Sequence, residues 1–190
     1  MRYCFHHLPK TAGSSLRIRL EHRASIGQLD KFSYGFGHNI SVNTIGTHFT
    51  WLRHPLHRDI SHFNYDFNKN ENISDTFEDN CTKLAGNFIT LWFHSKYLKQ
   101  SSSMAIKDKY EHVRTALRNN FLKVYNADNF ENSWDDVAKI LKIDTEPRLS
   151  TNQSNKDYKK IVNFSNLTED FISWHKDYNE YDYKLYNEFC

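Results

Sequence analysis

The sequence predicts an α/β fold in which a central, mainly parallel sheet is flanked by helices. Short aromatic or alternating segments, typical of buried strands, are separated by longer segments whose apolar residues recur at helical spacing. Strands that alternate with helices along the chain favour parallel pairing. The 190 residues contain no internal repeat and no linker, so we expect a single domain over residues 1–190.

Four segments are predicted to form strands. Residues 2–7 are rich in aromatic side chains, and residues 47–53 alternate clearly. Residues 32–38 are aromatic and spaced by glycines, which indicates a bulge or a close approach of another backbone. Residues 121–126 form the remaining predicted strand.

Apolar residues at intervals of three and four positions predict the helices. One begins at Pro55, because proline is favoured at the first helical position, and its apolar stripe reaches Phe67. The C-terminal helix carries a broad aromatic face that we assign to the core. The predicted helices cover approximately residues 14–24, 55–67, 77–91, 107–119, 130–141 and 168–189.

The composition argues against several classes of function. A net charge of +2, without a basic tail, gives no sign of a nucleic-acid partner. The mean hydropathy is −0.77, and no apolar run of ~18 residues that would span a membrane is present. The N-terminus has no signal pattern, so we expect a cytoplasmic protein.

Neither a disulfide framework nor a metal site is expected. The three cysteines, Cys4, Cys81 and Cys190, are odd in number and far apart, which is typical of reduced thiols in a cytoplasm. The eleven histidines include no pair that accompanies a carboxylate in the arrangement of zinc enzymes.

Residues 5–16 combine a short apolar strand, a tight turn and the start of a helix. A helix N-terminus exposes unpaired N–H groups and the positive end of the helix dipole, so it favours an anion. Gly13 lets a ligand approach the backbone closely. The Walker A pattern G-x-x-x-x-G-K-[ST] is absent, so the loop differs from that of nucleotide kinases. One ammonium and three hydroxyls in this turn suit a phosphate or sulfate: Lys10, Thr11, Ser14 and Ser15.

Three basic side chains are expected to meet at one edge of the sheet. Lys10, His38 and Arg53 each follow the end of a predicted strand, and ligands of such sheets bind beyond the carboxyl ends of the strands. Ser61 lies about two turns into the helix that follows Arg53. Arg53 can bind a phosphate through two N–H groups, and Ser61 can add a hydroxyl.

The two motifs resemble those of sulfotransferases that use 3′-phosphoadenosine 5′-phosphosulfate (PAPS). The run PKTAGSS resembles that family's 5′-phosphosulfate loop, and LRHPLHRDISHF resembles its 3′-phosphate motif, R-x-P-x-x-R-x-x-S. The chain is most similar to the carbohydrate branch that includes heparan sulfate 2-O-sulfotransferases. In that branch a Gly-His pair ends a strand and its histidine is the catalytic base, a position that Gly37 and His38 match.

The resemblance implies a P-loop-like three-layer fold and PAPS as the sulfuryl donor, with no metal. It implies Lys10 and His38 as catalytic residues and a carbohydrate hydroxyl as acceptor. His54 departs from the family, which more often has aspartate there, and we expect no membrane anchor of the kind that luminal animal members carry. The implied cofactor-binding residues are Lys10, Thr11, Ala12, Gly13, Ser14, Ser15, Arg53 and Ser61.

Other residues receive weaker assignments. We expect a structural role for Arg58 and a supporting role beside the loop for His7. By family likeness, the loop 146–157 could close over the nucleotide through Arg148, Ser150 and Thr151. Residues 68–106 are expected to shape the acceptor site.

The chemistry of sulfuryl transfer fits these residues. Lys10 can follow the charge that builds on the leaving phosphate oxygen, and His38 can accept the proton of the acceptor hydroxyl. Three alternatives stay open: a sulfotransferase for tyrosine or small molecules, an inactive nucleotide- or glycan-binding protein, and a P-loop kinase-like enzyme. The last would need a Walker A lysine–serine pair and a Walker B acid, neither of which is evident.

Overall fold

The computed structural model describes residues 2–69, 75–100, 103–149 and 161–190. Four parallel strands form one sheet in the order β2-β1-β3-β4. The predicted α/β class with a parallel sheet flanked by helices is confirmed. The strands are β1 (Tyr3–His6), β2 (Tyr34–Gly37), β3 (Thr47–Leu52) and β4 (Phe121–Asn126).

Eight α-helices lie in the described part of the chain. A π-helical turn, Phe93–Tyr97, continues the fourth helix, and 3₁₀ turns cover Ala127–Asn129 and Phe164–Asn166. The helices are α1 (Gly13–Ser25), α2 (Pro55–Lys69), α3 (Phe77–Lys83), α4 (Phe88–Trp92), α5 (Ile106–Asn120), α6 (Phe130–Leu141), α7 (Glu169–Tyr178) and α8 (Glu180–Phe189). None of these described helices is long and apolar enough to cross a bilayer.

The single helix predicted over 77–91 is wrong, because the chain forms α3 and α4 with a break between them. Leu84, which the apolar pattern placed on the buried face, is 38% exposed, and Asn87 has a left-handed φ of +59°. The buried carboxylate of Asp182 accepts the backbone N–H groups of Ile89 and Thr90, at 2.7 and 2.8 Å. A new helix therefore starts where a distant side chain caps it.

The single helix predicted over 168–189 is also two helices, which meet at Asn179. The Oδ1 atom of Asn179 accepts the backbone N–H of Asn87 at 2.8 Å, and Oδ1 of Asn87 accepts the N–H of Tyr181 at 2.8 Å. Two asparagines that are far apart in sequence thus cap each other's segments. The aromatic period could not reveal this pairing, since it depends on tertiary contact.

Helices cover both faces of the sheet. On one face, Phe5, Phe49 and Trp51 pack with Leu16 of α1 and Trp134 of α6. The other face belongs to a second apolar cluster, which includes Leu52 and Phe121 and side chains of α4, α5 and α8. A third cluster joins α2, α3 and α7.

A pair of histidines lies beside the second apolar cluster. Nε2 of His6 and Nδ1 of His48 are 2.7 Å apart, and the rings of Tyr97 and Phe121 surround them. Burial, followed by the nearby His48, lowers the pKa of His6 to about 3. This pair is therefore neutral in the folded protein at neutral pH.

The connection between β2 and β3 contains no helix. It covers residues 38–46 and crosses β1, because β1 lies between β2 and β3 in the sheet. The helical connections run instead from β1 to β2 and from β3 to β4. The side of the sheet near β2 is consequently bordered by a loop, and a cleft opens there.

Candidate functional site

The carboxyl edge of the sheet gathers the three predicted basic residues. Lys10, His38 and Arg53 follow β1, β2 and β3, which are neighbouring parallel strands. Nη1 of Arg53 donates to the backbone oxygen of Lys10 at 3.4 Å. The predicted placement at one edge is confirmed. Asp128, which follows β4, adds an acidic group at the same edge.

The loop after β1 has an unusual backbone. Lys10 and Ala12 adopt left-handed φ angles of +68° and +62°, a conformation that costs free energy for residues other than glycine. The Thr11 hydroxyl is buried, and it donates to the backbone oxygen of Leu8 at 2.8 Å. The hydroxyl hydrogen of Thr11, a residue predicted to bind the phosphate, is therefore engaged in closing the turn.

Gly13 lies against His7. A Cβ atom at Gly13 would overlap the imidazole of His7, so the glycine is needed by the packing of the loop itself. Ala12, the N-cap residue of α1, has no side-chain acceptor, and Ser14 and Ser15 are exposed and half-buried. Within the described chain, the first amides of α1 therefore carry no side-chain cap, and two hydroxyls lie in the same turn.

The ammonium of Lys10 lies over an aromatic ring of α2. Its Nζ atom is 3.9 Å from the ring centroid of Tyr65, and Nζ of Lys69 is 4.4 Å from the same centroid. Burial, followed by the charges of Arg53 and other nearby cations, lowers the pKa of Lys10 to about 8, although the charge of Asp66 acts in the opposite direction. Among the described residues, no carboxylate forms an ion pair with Lys10, so its charge is held without being neutralised.

Arg53 is oriented by Asp128. Nε of Arg53 lies 3.2 Å from Oδ1 of Asp128, and the same carboxylate accepts the backbone N–H of His54 at 2.9 Å. Nδ1 of His57 is also 3.2 Å from Oδ1. One carboxylate thus joins the end of β4 to the start of α2. Sequence reasoning did not select Asp128, although its position after a strand end is the same signal that selected Arg53.

His38 lies on His7. The two rings are stacked, with centroids 4.3 Å apart and planes inclined by 25°, and Trp92 meets His38 edge-on at 6.4 Å. Burial, and then the charges of His38, Arg17 and Lys10, lower the pKa of His7 to about 4. His7 is therefore a neutral ring that contacts both the loop and His38, and its supporting role stays a prediction.

Ser61 and Arg58 differ in accessibility. Ser61 is half-buried on α2, one turn before Tyr65. Arg58 is 3% exposed, pairs with Asp59, and lies 3.8 Å above the ring of Phe88. Arg58 therefore belongs to the packing between α2 and α4.

The start of the loop 146–157 is attached to α6. Arg148 pairs with Glu131 at 3.0 Å, with Asp135 at 2.9 Å and with Glu146 at 2.7 Å. These three carboxylates occupy the guanidinium that the family likeness assigned to the nucleotide. Ser150 and Thr151 lie outside the described residues.

A possible metal-ligand set joins α2, α3 and α7. The ligand atoms of Asp59, Cys81 and His175 are within 4.8 Å of one another, a combination that zinc accepts. However, Asp59 already pairs with Arg58 and lies 3.0 Å from Nε2 of His175. Burial raises the pKa of the Cys81 thiol to about 12, which disfavours the thiolate that a metal requires. The cluster is satisfied as an internal network.

A cleft of about 440 Å³ begins beside His38. Gly35 and Gly37 of β2 line it, and Arg2 and Thr44 also contribute to its walls. Space above Gly37 is open, since a Cβ there would meet no atom within 4 Å. The cleft is large enough for a small ligand.

Comparison with known proteins adds no family. No protein-family model matches the chain, and a search of the curated proteins also finds no match. The chemistry of the site is therefore argued from its residues and its geometry.

Proposed function

We propose that the protein is a PAPS-dependent sulfotransferase that transfers a sulfuryl group to a hydroxyl, with a carbohydrate as the acceptor. The observation that carries this proposal is the meeting of Lys10, Arg53 and His38 at one carboxyl edge. Two cations suit a donor with two anionic ends, and an imidazole suits the deprotonation of a hydroxyl. The two sequence motifs add independent support.

The donor is proposed to lie between two anion-binding positions. The free amides at the start of α1, with Ser14 and Ser15, would hold the 5′-phosphosulfate. Arg53 would bind the 3′-phosphate through the N–H groups that are not used by Asp128 or by the Lys10 backbone oxygen, with Ser61 in the second turn of α2. Thr11, Ala12 and Gly13 act by shaping the loop.

The proposed reaction is an in-line displacement at sulfur. His38 takes the proton of the acceptor hydroxyl as its oxygen forms a bond to sulfur, and the bond from sulfur to the phosphate oxygen breaks. The products are a sulfate ester and adenosine 3′,5′-bisphosphate. Lys10 stabilises the negative charge that develops on the leaving oxygen, where an un-neutralised ammonium is most effective.

The direct test uses labelled PAPS with panels of glycans, tyrosine peptides and small alcohols. We expect labelled product from the glycan panel and calorimetric binding of adenosine 3′,5′-bisphosphate. Labelled tyrosine or small alcohols instead would change the acceptor and keep the chemistry. Nucleotide binding with no transfer to any panel would indicate a binding protein, and the absence of both would overturn the proposal.

A further inference from the structure

The contact between Lys10 and Tyr65 joins the two anion motifs. Lys10 lies in the loop after β1, whereas Tyr65 lies on α2, one turn after Ser61. Residues four positions apart share a helix face, so Ser61 and Tyr65 present a hydroxyl and a ring on the same side of α2. The distance of 3.9 Å from Nζ to the ring centroid is within the range of a cation–π interaction.

The backbone of the loop also favours this contact. The left-handed φ of +68° at Lys10 is a costly conformation, so surrounding contacts must hold it. The backbone oxygen of Lys10 accepts from Arg53, and its side chain reaches Tyr65. Both ends of the residue are therefore fixed by elements that carry the second motif.

An aromatic ring and a carboxylate have different effects on an ammonium group that must also interact with a bound donor. A carboxylate would neutralise the charge and would compete with the donor, whereas a ring stabilises the cation and leaves its charge intact. The carboxylate of Asp66, which also lies on α2, has its Oδ2 atom 3.5 Å from Nε2 of His62. Among the described residues, Tyr65 is thus the direct holder of the Lys10 ammonium.

We propose that Tyr65 is a positioning residue that holds the Lys10 ammonium on its ring face and releases it to the donor when the nucleotide binds. This inference rests on the proposed function. The ring, and not the phenol oxygen, carries the role, because the Lys10 Nζ atom lies over the ring, 3.9 Å from its centroid. Tyr65→Phe should therefore keep this role, because the ring remains, and Tyr65→Leu should lose it.

The contact can be observed without any assay of activity. Reductive ¹³C-methylation converts each lysine to a dimethylamine, and a methyl group above a ring is shifted upfield. Lys10→Arg and Lys69→Arg identify the two signals, since arginine is not methylated. We expect an upfield Lys10 signal in the wild type and in Tyr65→Phe, and an ordinary position in Tyr65→Leu. A Lys10 signal that Tyr65→Leu leaves unchanged would overturn the contact.

Release is tested by titration with adenosine 3′,5′-bisphosphate. The Lys10 signal should leave its upfield position as the nucleotide saturates the wild type. If calorimetry shows binding while the Lys10 signal stays upfield, release is wrong. If the nucleotide does not bind at all, the proposed function fails, and with it the role of Tyr65 in transfer, while the leucine comparison still decides the contact.

The kinetic consequence separates positioning from folding. Because the contact is given up when the nucleotide binds, Tyr65→Leu should remove a free-energy cost of donor binding and lower KM for PAPS by about 3- to 10-fold, the range of an exposed to partly buried cation–π interaction, with kcat changed less than about 2-fold. Tyr65→Phe should stay within about 2-fold of the wild type in both constants. Equal changes of KM in Tyr65→Phe and Tyr65→Leu would assign the effect to the phenol oxygen, and an unchanged KM in Tyr65→Leu would show that the contact is not given up on binding; either result would overturn the proposal.

Discussion

Lys10 and Arg53 are two cations of one edge that the protein holds by different means. Arg53 shares its Nε–H with a carboxylate, whereas Lys10 rests on a ring. A paired guanidinium keeps a fixed direction and offers its remaining N–H groups, which suits the binding of a static phosphate. A lysine without an ion pair can follow a charge that develops during the reaction, so the two residues should affect different kinetic constants.

Lys10→Ala and His38→Ala should each remove most of the turnover. We expect kcat to fall by about 10²–10³-fold for Lys10→Ala and about 10²–10⁴-fold for His38→Ala, since one loses charge stabilisation and the other the base. Steady-state rates with labelled PAPS give the measurement. Lys107→Ala, at an exposed position on α5, is the matched control and should retain the wild-type rate. Near-full activity in His38→Ala would place the base elsewhere.

Arg53→Ala should act mainly on donor binding. Loss of charged hydrogen bonds to the 3′-phosphate should raise KM for PAPS by about 10- to 100-fold with a smaller change in kcat. Arg118→Ala removes an exposed arginine from α5 and serves as the control. A fall in kcat alone, with KM unchanged, would contradict the assignment of Arg53 to the nucleotide.

For single residues, the sequence pattern predicted the positions of the site residues better than it predicted their side-chain contacts. Lys10, His38 and Arg53 could be placed at one edge because strand ends and parallel pairing were readable from the pattern. Asp128 and Tyr65 were not selected, because their partners lie 75 and 55 positions away, respectively, and only the folded chain brings them together. The role of the Thr11 hydroxyl in closing the turn was hidden for the same reason.

The loop after β1 and the helix α1 form one element whose geometry depends on Gly13 and His7. Alanine is the better helix former by about 1 kcal/mol, yet a Cβ at position 13 would enter the space of the His7 ring. We therefore expect Gly13→Ala to destabilise the wild-type protein by roughly 1–3 kcal/mol, the cost of overpacking.

The same substitution should be neutral or stabilising when His7 is also alanine. Urea unfolding of the wild type, both single variants and the double variant gives this coupling as a double-mutant cycle. The change of sign is the critical result, because a general intolerance of position 13 would persist in the His7→Ala background. Equal destabilisation in both backgrounds would contradict the steric explanation.

Helix boundaries were the weakest part of the sequence prediction. The apolar period ran continuously through 77–91 and 168–189, and it correctly indicated helical structure on both sides of each break. The breaks depend on Asn87, Asn179 and Asp182, which cap segments distant in sequence. Period and propensity describe neighbours along the chain, so caps supplied across the fold lie beyond their reach.

The parallel pairing of the strands was predicted for the whole sheet, but the order of the strands was not. Alternating strands and helices indicated parallel pairing, whereas the order β2-β1-β3-β4 requires a crossover from β2 to β3 over β1. Nothing in the residues 38–46 signals that crossover in advance. Strand order results from the packing of helices on both faces, which a single sequence does not display.

The stability of the whole molecule should fall as the solution becomes acidic. His6 is 2% exposed and neutral when folded, with a pKa of about 3, whereas the unfolded chain takes up a proton near pH 6.5. Its contribution is complete above pH 6.5 and is lost as the pH falls toward 3, by up to roughly 1.4 kcal/mol per pH unit. Unfolding in urea between pH 7.5 and 5 measures this slope.

The variant His6→Gln separates the contribution of His6 to the pH dependence of stability from the contributions of other titratable groups. Asp182 has a pKa raised to about 6 by burial, so it acts in the opposite sense and binds a proton more readily when folded. The difference between wild type and His6→Gln is therefore the informative quantity. The variant should lose less stability on acidification, and parallel curves would contradict the buried neutral pair.

The helix-free connection 38–46 has a consequence for the evolution of specificity. The proposed donor-binding residues lie in α1, α2 and the turns before them, whereas this stretch borders the cleft beside His38. Lengthening a surface loop costs little chain entropy, since doubling it adds only about 0.6 kcal/mol. Insertions between Asn39 and Thr44 would remodel one wall of the cavity and leave the proposed donor-binding residues as they are, so new substrates could be acquired by exchange of a single short module.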